Sequence, residues 1–61
     1  MTYAIQYEIR RAANDDELVE SGELVIQGED ALDAALQLTG SLLAPEEREE
    51  YRVRVLSVTK A

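Results

Sequence analysis

The chain has no cysteine, no histidine, no tryptophan and no phenylalanine. Each absence closes off a class of protein. Without cysteine there is no disulfide framework, and the chain suits a reducing compartment, so a cytoplasmic location is expected. Without cysteine and histidine the common zinc and haem ligand sets are missing, so no metal or redox cofactor is expected. Histidine is also the usual base beside a nucleophile. Ser21, Ser41 and Ser57 stand in no nucleophile motif, and no glycine-rich phosphate loop occurs. The expectation is a protein that is not an enzyme.

Positive charge is scarce. Thirteen acidic residues stand against six basic ones, for a net charge of −7, and Lys60 is the only lysine. Nucleic-acid binding draws its affinity from Lys and Arg neutralising phosphates, so direct binding to nucleic acid is not expected, nor is docking on an anionic membrane. No apolar run approaches the roughly 20 residues that span a bilayer. The opening MTYAIQYEIRR lacks a cationic start followed by an apolar block and is not expected to be a signal peptide.

What is present is enough for one small domain covering residues 1–61. With 46% hydrophobic residues and clear periodicity, the chain is not an acidic disordered tail. A domain this small buries a modest fraction of its surface, and with disulfides and metals excluded a second subunit is the remaining aid to stability. The preference for Arg over Lys, with abundant Ala, Leu and Glu, resembles the products of GC-rich bacterial or phage genomes.

Residues 29–43, EDALDAALQLTGSLL, carry the one helical period. Leu32, Ala35, Leu36, Thr39, Leu42 and Leu43 recur at spacings of three and four and form the predicted core stripe. Asp30 is the expected N-cap, with Asp33 three residues on. The helix is expected to run through Gly40, at about 1 kcal/mol relative to alanine, and to stop by Ala44, because Pro45 disfavours helical geometry in the residue before it.

Three strands surround it. Residues 3–11 alternate strictly, with Tyr3, Ile5, Tyr7 and Ile9 on one side and Ala4, Gln6, Glu8 and Arg10 on the other. Residues 12–17, AANDDE, form a hairpin connection of turn-forming Asx residues, with Arg10 and Arg11 placed to pair with its acids. It lacks the spacing of a calcium loop. Residues 18–27 form a second strand whose alternation slips, and Gly22 at the slip predicts a β-bulge. Residues 46–50 form a charged run suited to one helical turn. Residues 51–60, YRVRVLSVTK, form a third strand whose phase shifts after Val55, through a bulge or through apolar residues on both faces.

The expected fold is α+β: a two-layer ββαβ arrangement with one helix on a three-stranded mixed sheet. The strand order is 2-1-3, with 1-2-3 as the alternative, since the most regular apolar strand belongs in the centre. Leu32, Leu36, Ile5, Tyr7, Leu24, Ile26 and Val53 are expected to be buried together. The uncovered sheet face should then carry Val25, Arg52, Arg54, Leu56 and Val58, with Ala4, Glu8 and Glu23. That face is the expected interface of a homodimeric, non-catalytic interaction or accessory module. The alternative is an acidic, nucleic-acid-mimicking inhibitor of a nucleic-acid-binding protein, using Asp15, Asp16, Glu17, Glu46, Glu47, Glu49 and Glu50 against a basic surface.

Overall fold

The computed structural model describes all 61 residues, Met1–Ala61. The elements are β1 (Thr2–Arg11), β2 (Glu17–Gln27), α1 (Ala31–Leu42), a 3-10 turn at Pro45–Glu49 and β3 (Tyr51–Lys60). They form an α+β fold with the strands in the order β2-β1-β3. Both neighbouring pairs are antiparallel, so the sheet is antiparallel throughout and not mixed. β2 and β3 run the same way but are not paired with each other, because β1 lies between them.

The strict alternation of β1 explains its central place. Tyr3, Ile5, Tyr7 and Ile9 are all buried, and Ile5 is completely inaccessible. Their neighbours build the face that α1 covers. Ile26 and Leu24 of β2 stand opposite Tyr3 and Ile5. Val58, Val55 and Val53 of β3 stand opposite Ile5, Tyr7 and Ile9. Full burial of such a side chain stabilises by about 1.5–3 kcal/mol, so the row along β1 is the main apolar contribution to the fold.

Register shifts account for both phase changes in the sequence. In β3 the shift falls between Gln6 and Tyr7 of β1, where Leu56 has no partner residue. This is the expected bulge, and it turns Val58 inward. In β2 the shift falls between Ile9 and Arg10, leaving Val19 unpaired, so the bulge is not at Gly22. Gly22 stands in regular register opposite Tyr7. A Cβ there would lie 2.9 Å from the Tyr7 hydroxyl oxygen and 3.2 Å from Cζ. The glycine therefore makes room for an aromatic ring lying across the sheet.

The hairpin between β1 and β2 turns through Asn14, Asp15 and Asp16, with φ of 61°, 57° and 58°. Asn and Asp visit the left-handed region more readily than other side chains because they bond locally. The Arg10 guanidinium donates to the Asp16 carbonyl at 2.8 Å and holds the end of this turn.

α1 begins as the sequence predicts. Asp30 is extended, and its Oδ1 accepts from the Asp33 backbone N–H at 2.8 Å. Asp33 Oδ2 accepts from the Glu29 N–H at 2.9 Å and from Gln37 Nε2 at 3.0 Å. The helix passes through Gly40 and ends at Leu42, where the Leu43 N–H closes the last turn on the Thr39 carbonyl. Pro45 then starts the 3-10 turn, which the Glu47 carboxylate caps by accepting from the Ala44 N–H at 2.9 Å.

The face α1 turns to the sheet is only partly the predicted one: Leu42 and Leu43 pack on the core as expected, but Leu32 and Leu36 do not. Ala34 and Leu38 are inaccessible and Leu43 is buried, while Leu32 and Leu36 are each 70% exposed. The three-residue link before the helix sets this rotation. Gly28 is buried against the first turn, and a Cβ there would lie 2.9 Å from the Ala34 nitrogen and 3.1 Å from its Cα. That approach draws Ala34 inward, and Leu38 follows one turn later. Of the other residues expected in the core, Ile5, Tyr7 and Ile26 are buried, and Leu24 and Val53 pack partly buried at its margin.

Candidate interaction surfaces

Two surfaces remain outside the core: the sheet face away from the helix, and the outward side of α1. On the sheet face, alternation places Ala4, Gln6, Glu8 and Arg10 of β1. They are flanked by Val25, Glu23, Ser21 and Leu18 of β2 and by Thr59, Ser57, Arg54 and Arg52 of β3. Val25 is exposed opposite Ala4, Leu56 is half exposed at its bulge, and Arg52 and Arg54 stand opposite Arg10 and Glu8. Val58 does not belong here. It is opposite Ile5 and packs against the core, because the Leu56 bulge reverses the phase beyond it.

Losing Val58 breaks the expected apolar patch into separate pieces. Val25 lies towards one end of the face, Leu18 towards the other and Leu56 along its β3 edge. Between them the face is polar, with Ser57 Oγ donating to Gln6 Oε1 at 3.0 Å. Its charge is unlike that of the whole chain: three arginines, Arg10, Arg52 and Arg54, accompany only Glu8 and Glu23. The sole ion pair in the molecule is Arg10 to Glu8 at 3.0 Å. The Arg10 Nη1 donates to the Asp16 carbonyl and not to a hairpin carboxylate, so neither Arg10 nor Arg11 makes the predicted ion pair with the hairpin acids. Arg11 instead lies over the Tyr51 ring at 5.7 Å, a cation–π contact. A shallow depression lined by Arg10, Asp16, Arg52, Val53 and Arg54 opens at this end of the face.

The predicted acidic residues fall at one end of a molecule 36 Å long and 13 Å thin. Asp15, Asp16 and Glu17 belong to the hairpin, and Glu46, Glu47, Glu49 and Glu50 to the 3-10 turn and its end. The Ala12 N–H donates to the Glu50 carbonyl at 2.8 Å, which joins these distant segments. No group of three or more acidic side chains is arranged to hold a metal ion.

The outward side of α1 is the surface missed by the sequence. Leu32 and Leu36 sit one turn apart, and Gly40 follows in the same i, i+4 row. Between Ala31 and Leu42 the only charged residue is Asp33. The signal was present in the pairing of a buried-looking Gly28 with an alanine-rich first turn, and in a glycine kept inside a helix where alanine would be more stable. No helix of the chain is long and apolar enough to cross a membrane.

No protein-family model, no curated protein and no solved structure matches the chain.

Proposed function

We propose that the chain is a non-catalytic protein-interaction module of the cytoplasm that acts as a homodimer. The observation that carries the reading is the pair Leu32 and Leu36, each 70% exposed on the one α-helix of the protein. A single exposed leucine is ordinary on a protein surface. Two stacked on one nearly uncharged helix side form a continuous apolar strip, and such strips with polar margins mark association sites. The small core supports the same reading, since only eight apolar side chains are buried. The lack of cysteine and histidine supports a role without covalent or metal chemistry.

Light scattering at micromolar and at millimolar concentration tests this. The expected mass at the higher concentration is twice the 6.8 kDa of the chain. A mass of 6.8 kDa throughout contradicts it.

A second reading, an acidic inhibitor of a nucleic-acid-binding protein, rests on a separate observation. The contact between Ala12 and Glu50 gathers the hairpin acids and the 3-10-turn acids at one end. A partner bound through that end should be lost steeply as salt rises, because screening acts on exposed charges. Binding that persists in high salt contradicts this second reading.

A further inference from the structure

We infer that the dimer forms by antiparallel pairing of two α1 helices across a two-fold axis at Leu36. This rests on the homodimer reading above and specifies where the copies meet. A two-fold interface must be self-complementary, with each residue i meeting j while j meets i. The outward row of α1 has that property. Leu32 and Gly40 lie four residues to either side of Leu36. Antiparallel pairing about Leu36 therefore sets Leu32 of each copy against Thr39 and Gly40 of the other, a large side chain over a small-residue gap. Rows at i and i+4 are the ridges by which helices commonly interlock.

Gly40 gives a second, independent reason. Glycine inside a helix costs about 1 kcal/mol relative to alanine. Within the chain nothing calls for it: its φ is not positive, and a Cβ there would meet only the Arg48 guanidinium, at 3.7 Å. A second copy's Leu32 supplies the missing reason, because a side chain at position 40 would hold the helices apart.

Charge gives the third. Arg48 reaches to Gly40 and has no carboxylate within 4.0 Å in its own chain. Pairing about Leu36 brings it beside the opposite helix start, where Glu29 and Asp33 stand. Each dimer then gains two such cross-pairs, one on each side of the axis. No like-charged side chain opposes the approach along the strip itself, since Asp33 is its only charge.

The strip is small. A helix of this length is about 18 Å long and about 10 Å across, less than a standard interface of about 800 Å² per partner requires. The association is accordingly a weak one, populated at high micromolar concentration and above.

Because the chain has no cysteine, single thiols report the geometry directly. Leu36→Cys, Leu32→Cys and Leu56→Cys are each oxidised at high concentration, and Leu32→Cys is also mixed with Gly40→Cys. The expected result is a cross-linked dimer from Leu36→Cys, which lies on the axis. A dimer is also expected from the Leu32→Cys and Gly40→Cys mixture, with little from Leu32→Cys alone. Its two thiols would sit about 12 Å apart along the helices at 1.5 Å per residue. A mass of two chains with cross-linking only at Leu56→Cys overturns the helix pairing and leaves the homodimer, moved to the sheet face. Efficient self-linking of Leu32→Cys with none at Leu36→Cys overturns the register. A Gly40→Leu variant, placed where a Cβ meets only the flexible end of the Arg48 side chain, is expected to stay folded by circular dichroism and lose the dimer. A Gly40→Leu protein that dimerises as the parent does contradicts the inference.

Discussion

Leu38 and Leu36 sit two residues apart on the same helix, yet one is inaccessible and the other is 70% exposed. Nothing in their chemistry separates them. Hydrophobic periodicity establishes that a helix is present, but α1 carries two apolar rows, one through Ala34, Leu38 and Leu42 and one through Leu32 and Leu36. The rows hold the same number of leucines, two each, and so the leucines do not decide between them. The row led by Ala34 faces the sheet, where Gly28 packs so close that a Cβ on the glycine would lie 2.9 Å from the Ala34 nitrogen. The row led by Leu32 is left outside. The lesson is that a short, tight link can decide which face of an ambiguous helix becomes core where the count of leucines does not.

The difference between the rows is testable by substitution. Leu38→Ala should cost about 2–5 kcal/mol through lost transfer energy and the cavity left beside Ile5 and Ala34. In a domain this small that should remove cooperative unfolding in a denaturant titration. Gly28→Ala attacks the link. Its new methyl would press on the Ala34 backbone, which cannot yield as a flexible side chain does. A loss of about 1–3 kcal/mol is expected, as for overpacking, seen as a lower denaturant midpoint. If Gly28→Ala melts as the parent does, the link does not set the rotation. Asp30→Ala removes the acceptor for the Asp33 N–H and should cost about 1 kcal/mol. Leu36→Ala, measured in dilute solution where the chain is monomeric, should change stability by under about 0.5 kcal/mol, as surface substitutions do. A loss at Leu36 as large as that at Leu38 would erase the distinction between the rows.

Much of this architecture is legible in the residues. The strict alternation of Tyr3, Ile5, Tyr7 and Ile9 marks β1 as the central strand, and the order β2-β1-β3 follows. Asp30 and Asp33 announce the helix start, and Pro45 the short turn after it. The phase change after Val55 announces a bulge, found at Leu56. What could not be read depends on contacts distant in sequence. Gly22 looks like a bulge glycine until Tyr7 is placed across it. Val58 looks outward until the bulge at Leu56 turns it in. The convergence of the hairpin acids with Glu46, Glu47, Glu49 and Glu50 needs β3 paired to β1 before it can be seen. The outward row of α1 is hidden for the same reason, since its exposure depends on a packing contact at Gly28.

The central claim is that Leu36 serves association and not the fold of the single chain. The most direct measurement is the melting temperature of the parent and of Leu36→Glu over a hundredfold range of concentration. Binding to a second copy stabilises the folded state by mass action, so the parent's melting temperature should rise with concentration. That of Leu36→Glu should stay flat and meet the parent's value in dilute solution. A Leu36→Glu protein that melts well below the parent at every concentration, or a parent whose melting temperature does not move, contradicts the account.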